Sequence, residues 1–170
     1  DDVETNIKKR IAYEQSPSIV VGIIDKSGAR YYNFGNMKMN GAQANEHSIY
    51  EIGSISKVFT AILLAQQVLD GKVKLDDPAQ KYLPKEVQFP RRGGKEITLG
   101  NLSDHTSGLR RMPSNFAPAD PGNPFADYTV AQLYSLLYSY QLTRDIGADY
   151  EYSNLAQGLL GHILALNTGM

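Results

Sequence analysis

The chain has 170 residues, enough for one domain or a large part of one, with 42% hydrophobic and 21% charged residues, an ordinary globular balance. A net charge of -1 gives no reason to expect nucleic acid or an anionic membrane as partner. Cysteine is absent, which excludes disulfides, thiol catalysis and cysteine metal sites together.

The chain starts at Asp1 with no early apolar h-region, so any signal peptide is expected to have been removed already. No apolar run reaches the length that spans a bilayer. Val3, Ile7 and Ile11 recur at i, i+4, i+8 between charged residues, which predicts an amphipathic helix ended by Ser16-Pro17. Residues 19–24 are β-branched and nearly all apolar, and predict a strand buried on both faces. Asp25-Lys26-Ser27-Gly28 is a turn signal, and residues 29–34 read as the returning strand of a hairpin. Residues 33–44, rich in Asn, Gly and Met without period, read as loop.

Residues 54–69 predict a long helix closed by Asp70-Gly71. It is apolar almost all round, so burial is expected. Leu75-Asp76-Asp77-Pro78 leads into a helical turn through Tyr82, and residues 84–94 read as a loop with Arg91 and Arg92 solvated. A short helix is predicted from Thr98, then His105-Thr106-Ser107-Gly108-Leu109, then a Pro-, Asn- and Asp-rich loop over 112–128. A loop of that length is expected to be mobile or functional. Thr129-Val130-Ala131-Gln132 matches a capping box and opens a helix through Tyr140 with Leu133, Leu136, Leu137 and Tyr140 on its apolar face. A last helix is predicted over 155–166.

The chemistry concentrates at Gly53-Ser54-Ile55-Ser56-Lys57, ahead of the long apolar run. On a helix, Ser54 and Lys57 share a face one turn apart, which sets an amine beside a hydroxyl. A serine is a poor nucleophile until a neighbouring base takes its proton, and a helix N-terminus favours the negative charge that develops. Ser56 competes for the role but lacks the i, i+3 relation to Lys57. The plain alternative is a capping Ser54 with a solvated Lys57. His47, His105 and His162 raise the question of a Ser-His-Asp triad, but they are scattered and lack paired carboxylates; no metal spacing appears either.

Taken in order, Gly53-Ser54-Ile55-Ser56-Lys57, Leu75-Asp76-Asp77-Pro78, His105-Thr106-Ser107-Gly108-Leu109 and Tyr150-Glu151-Tyr152-Ser153-Asn154-Leu155 resemble the penicillin-recognising serine hydrolases. Tyrosine at the head of Tyr152-Ser153-Asn154 is similar to the branch of class C β-lactamases, D-alanyl-D-alanine carboxypeptidases and related esterases. The resemblance runs from about Ile19 to the end. It implies an α+β, β-lactamase/transpeptidase-like fold, a helical region plus an antiparallel sheet of which only the N-terminal hairpin is visible here. It implies Ser54 as acylated nucleophile, Lys57 and Tyr152 sharing general base and acid duty, and Asn154 holding the substrate's side-chain amide and Lys57. Either Lys57 or Tyr152 takes the serine proton. His105 would support the wall of the site. The substrate would be a β-lactam, a D-Ala-D-Ala peptide or an ester, with no cofactor and no metal, in a periplasmic or secreted setting.

One departure stands at the end of the chain. The family's third element, Lys-Thr-Gly or His-x-Gly on a strand beside the nucleophile, has no counterpart; Asn167-Thr168-Gly169 reads as a helix ending. The chain is therefore expected to be the N-terminal portion of a single β-lactamase-like domain. Three readings follow from this. One is an acyl-serine hydrolase whose remaining strands lie outside this sequence. Another is a half-enzyme that is inert until a C-terminal partner or a second copy completes it. The third is a non-catalytic relative that binds β-lactams or peptides.

Overall fold

The computed structural model describes residues 2–14, 16–38 and 40–169, so the predicted loop 33–44 is described except at Met39. The chain forms two compact units, residues 1–52 and 53–170.

In the first unit α1 (Asp2–Ala12) is followed by a hairpin of β1 (Ser18–Asp25) and β2 (Gly28–Gly35). The strands pair antiparallel from Ser18 opposite Gly35 to Asp25 opposite Gly28. The turn is fixed by Asp25, whose carboxylate accepts from the Ser27 backbone and hydroxyl and from Arg30. These bonds hold its carboxyl below the usual range, the Ser27 hydroxyl first. Alternation puts Val21 and Ile23 of β1 and Tyr32 and Phe34 of β2 on one face, where Val3 and Ile7 of α1 line the same hollow. The strand is not buried on both faces, as its composition predicts: its second half is exposed, and Ile24 is 82% accessible. Among the described residues of this unit, α1 covers one face of the hairpin. Gly35 closes the hairpin at φ +71, and a Cβ there would lie 2.2 Å from the Pro17 carbonyl oxygen, so the close approach needs glycine. The predicted loop beyond it is partly paired, with Asn36 bridged to Gln43.

The second unit is built around α5 (Asn154–Asn167), which buries Leu155, Ala156, Leu159, Leu160, Ile163 and Leu164. α2 (Ser56–Leu69), α3 (Leu99–Ser103) and the 3-10 turn Ala79–Tyr82 pack on it. α4 (Val130–Ser139) adds Leu133, Leu136 and Leu137 to the same core. Two buried glutamines tie the helices by backbone contacts. Gln67 of α2 donates to the Leu164 carbonyl, and Gln157 of α5 donates to the carbonyls of Leu102 and Ser103. Both α3 and α4 begin with a capping box, Thr98 with Asn101 and Thr129 with Gln132.

Two expectations about this unit need correction. α2 is not a buried helix. Only Leu64 and Gln67 are buried on it, while Val58, Phe59, Ile62 and Leu63 are each more than half exposed. All-round apolarity says that many faces can be covered, not which ones are, and α5 covers one stripe. Nor is Arg92 in a plain loop, although its side chain stays exposed as expected. β3 (Arg91–Arg92) and β4 (Lys95–Glu96) form a small hairpin, and Arg92 donates to Asp145 and to the Leu142 carbonyl.

Leu75-Asp76-Asp77-Pro78 is structural. Gly100 and Leu99 donate to the carbonyls of Leu75 and Asp77, and the Asp77 carboxylate accepts from the Lys74 backbone, Lys81 and Tyr82. These contacts, the Tyr82 hydroxyl first, hold the Asp77 carboxyl down to about 2.

Candidate active site

Ser54 sits in a 3-10 turn, Gly53–Ile55, immediately ahead of α2 rather than inside it. Gly53 enters the turn at φ +53, which glycine adopts without a Cβ penalty. The two candidate serines then diverge. Ser56 spends its hydroxyl on the Gly53 carbonyl at 2.8 Å. Ser54 instead presents its Oγ to two side chains: Lys57 donates at 3.2 Å and the Tyr152 hydroxyl at 2.5 Å. Lys57 Nζ also lies 4.8 Å from the centre of the Tyr152 ring. Ser54 is exposed, and Lys57 and Tyr152 are half-buried.

Tyr152 arrives from the segment before α5, and its placement is the work of Ser153. Ser153 is fully buried and is the N-cap of α5, accepting from the Ala156 backbone at 2.9 Å. Its hydroxyl donates to the Arg110 carbonyl at 2.7 Å, and its N–H donates to His105 Nδ1 at 3.1 Å. His105 itself stands at φ +66, with its ring 4.7 Å from that of Tyr152. Accepting the Ser153 N–H requires an unprotonated Nδ1. Burial pushes the His105 pKa down, and the Lys57 charge adds to this against a smaller opposing effect of Asp104. His105 is thus a wall against which Tyr152 leans. It makes no hydrogen bond to Ser54, and neither does His162, which pairs with the Tyr134 hydroxyl at 2.6 Å.

The Tyr152 phenol is shifted below its ordinary pKa, chiefly by the bond from Lys57, then by the Ser54 hydroxyl, with the charges of Lys57 and Arg111 adding. Arg111 was not singled out by the sequence; its guanidinium carbon lies 4.9 Å from the Tyr152 ring centre. Asn154 is brought to the same place. It lines a cleft of about 460 Å³ with Gly53, Ser54, Lys57, Thr60 and Phe125. Its amide donates to Met112 Sδ at 3.4 Å; no hydrogen bond from Asn154 to Lys57 is present among the described residues. That part of its expected role is absent from this geometry.

The 112–128 loop reaches the same cleft through Phe125. It is pinned by Asn115, which donates to the Gln132 carbonyl and accepts from the Tyr128 hydroxyl. Behind it lies an apolar cavity of about 250 Å³ that shares Phe125, Asn154 and Gly158 with the cleft. Among the described residues no group of His, Asp or Glu side chains is placed to hold a metal ion.

A family model described as Beta-lactamase matches residues 3–170. The chain belongs to the beta-lactamase family. Its curated relatives in that family include a beta-lactamase of Pseudomonas fluorescens, 31% identical over 98% of this chain and 44% of its own length. A D-alanyl-D-alanine-carboxypeptidase/endopeptidase of Escherichia coli K12 is 33% identical over 86% of this chain and 38% of its own. Among solved structures, a beta-lactamase/D-alanine carboxypeptidase from Yersinia pestis complexed with citrate superposes with a TM-score of 0.83 at 30% identity, covering 99% of this chain and 48% of that one. A class C beta-lactamase in complex with cefoxitin gives 0.79 at 27% identity, over 99% and 44%. The fold is the α+β fold of beta-lactamase-family proteins, and the chain spans less than half the length of the relatives it matches.

Proposed function

We propose that the protein is a serine hydrolase that works through an acyl-enzyme on β-lactams, D-Ala-D-Ala peptides or simple esters. The observation that carries this is the convergence of Lys57 Nζ and the Tyr152 hydroxyl on Ser54 Oγ. The names of its beta-lactamase and carboxypeptidase relatives support the first two substrate classes. Residues 1–170 would be the N-terminal portion of a single beta-lactamase-like domain. A periplasmic or secreted location goes with this reading; among the described residues no helix is long and apolar enough to cross a membrane.

In the proposed reaction Tyr152, as tyrosinate, takes the Ser54 proton while Oγ attacks the substrate carbonyl. The lowered phenol pKa and the adjacent Lys57 favour that charge state. Collapse of the tetrahedral intermediate breaks the carbonyl–leaving-group bond, and the proton passes from Tyr152 to the leaving group. Water then repeats the sequence on the acyl-enzyme, with the same phenol as base. Lys57 holds the phenol and the hydroxyl together, and Asn154, in the cleft wall, meets the amide of the substrate side chain. No cofactor or metal enters any step.

A fluorescent penicillin tests the proposal. The label should map to the peptide containing Ser54 and be lost in Ser54→Ala but kept in Ser56→Ala. Labelling of Ser56, or of no serine, overturns it. A second reading is that the site acts only after further strands, from more chain, a partner or a swapped copy, complete the sheet. The exposed Val58, Phe59, Ile62 and Leu63 of α2 favour it. Under that reading the isolated chain self-associates in light scattering and does not turn over nitrocefin; a monodisperse, active monomer would remove it.

A further inference from the structure

We propose that Arg111 is a positioning residue for the proton transfer at Ser54, its guanidinium stacked on the Tyr152 ring so that, with Lys57, it holds the phenol in place and toward its anionic form. The inference rests on the reading of Tyr152 as general base.

Two cations approach one aromatic ring here. Lys57 Nζ lies 4.8 Å and the Arg111 guanidinium carbon 4.9 Å from the centre of the Tyr152 ring. Both distances are within the range in which a cation is attracted to a ring face, and the attraction is larger for a phenolate than for a phenol. Lys57 also contacts Ser54, so it serves both partners of the transfer. Arg111 contacts no hydrogen-bond acceptor with its guanidinium among the described residues, whereas Arg30, Arg91, Arg92 and Arg144 each meet a carboxylate. Its charge is therefore not neutralised by a neighbouring acid.

The backbone fixes it there. The Arg111 carbonyl accepts from the N–H groups of Asn154 at 2.9 Å and Leu155 at 3.3 Å, and the Arg110 carbonyl accepts from the Ser153 hydroxyl. Arg111 and Tyr152 are thus held on paired segments, and the stack does not depend on a free loop. The groups that face Tyr152 are Ser54 from the 3-10 turn ahead of α2, Lys57 from the first turn of α2, His105, and Arg111. His105 is held neutral by its bond from Ser153, and among the described residues no carboxylate bonds to the phenol, so removing Arg111 leaves Lys57 as the one described cation on the ring.

The test compares Arg111→Lys, which keeps the charge, with Arg111→Met, which keeps the bulk. A neutral p-nitrophenyl ester is the substrate, so a contact between Arg111 and a substrate carboxylate does not enter. Activity through a tyrosinate rises with pH as the phenol loses its proton. In Arg111→Met the acid limb of kcat/KM is expected to move to higher pH by about half a unit, a roughly threefold loss at neutral pH, with KM little changed. Arg111→Lys should recover most of it. Titration of the Tyr152 phenol, read as the spectral difference between the parent and Tyr152→Phe, should move the same way in Arg111→Met without any turnover. An unmoved phenol titration overturns the inference. A moved titration with an unmoved rate profile supports the electrostatic role of Arg111 and overturns Tyr152 as the base. Equal losses in Arg111→Met and Arg111→Lys would mean packing alone and also overturn it.

Discussion

Ser153→Ala removes one hydroxyl and should disturb both the fold and the site. The side chain is fully buried; it accepts from the Ala156 N–H as the cap of α5 and donates to the Arg110 carbonyl. Losing a cap of this kind costs about 1 kcal/mol. Leaving the Arg110 carbonyl without its partner costs about 1 kcal/mol more, at the low end because the residue is exposed enough for water to replace the bond. The total of about 2 kcal/mol corresponds to a fall of about 4–8 °C in Tm for a chain of this size. The larger consequence lies on either side of Ser153, where Tyr152 bonds to Ser54 and Asn154 lines the cleft. At a temperature where the variant remains folded, turnover should fall on the order of tenfold, since small misplacements of reacting groups are costly. Circular dichroism melts and steady-state ester hydrolysis check the two effects separately. A variant that melts within about 1 °C of the parent and keeps its turnover would refute the claim that Ser153 places Tyr152.

Tyr152→Phe keeps the packing against His105 and removes the hydroxyl on Ser54; turnover should fall by about 10²–10⁴, and an unchanged rate with a normal melt would make Tyr152 a packing residue. Asp77 has its carboxyl held down to about 2, so its contribution to stability is complete above about pH 4 and is lost as pH falls toward 2. Asp77→Asn should flatten that part of the stability–pH curve, and parallel acid-unfolding curves for parent and variant would contradict the assignment. Gly35→Ala forces a Cβ to 2.2 Å from the Pro17 carbonyl oxygen at φ +71 and should lower stability by about 2 kcal/mol or more, read from a shifted denaturant midpoint; a midpoint at the parent value would mean the hairpin end relaxes freely. Shortening the 112–128 loop should change relative rates among substrates more than it changes the melt, because Phe125 of that loop lines the same cleft as Ser54; equal effects on all substrates would take the loop out of substrate choice.

What was legible in the sequence was local. The capping box at Thr129 and the hairpin turn at Asp25 are written in neighbouring residues, and each takes the form its spacing predicts. Placing Tyr152 against Ser54 needs two segments 98 residues apart to meet, and only the order of motifs hinted at that. The misreadings concern partners. The apolar faces of α2 and β1 look like core faces in composition, yet composition cannot say which face meets a neighbour. Arg92 looks unpartnered until the fold brings Asp145 and the Leu142 carbonyl to it, and it stays exposed. Ser153 carries a local signal as well, since a serine immediately before an apolar-periodic helix is an N-cap. Arg111 carried none, because nothing in its neighbours points to a ring that lies 41 residues along the chain, from position 111 to position 152.

The 112–128 loop leaves the core just after Arg111, whose carbonyl is bonded to the start of α5, and returns at Thr129, which is locked by its own capping box. Apart from the bonds that Met112 and Asn115 make to Asn154 and Gln132, these anchors are made by residues outside the loop. Closing a longer loop costs little, about 0.6 kcal/mol for each doubling of its length. Insertions, deletions and changes of side chain in this segment can accumulate between two fixed posts while Ser54, Lys57 and Tyr152 keep their spacing. Under the proposed function, the architecture would set the Ser54 site apart from a segment that can vary, so substrate choice could change at this loop without disturbing Ser54.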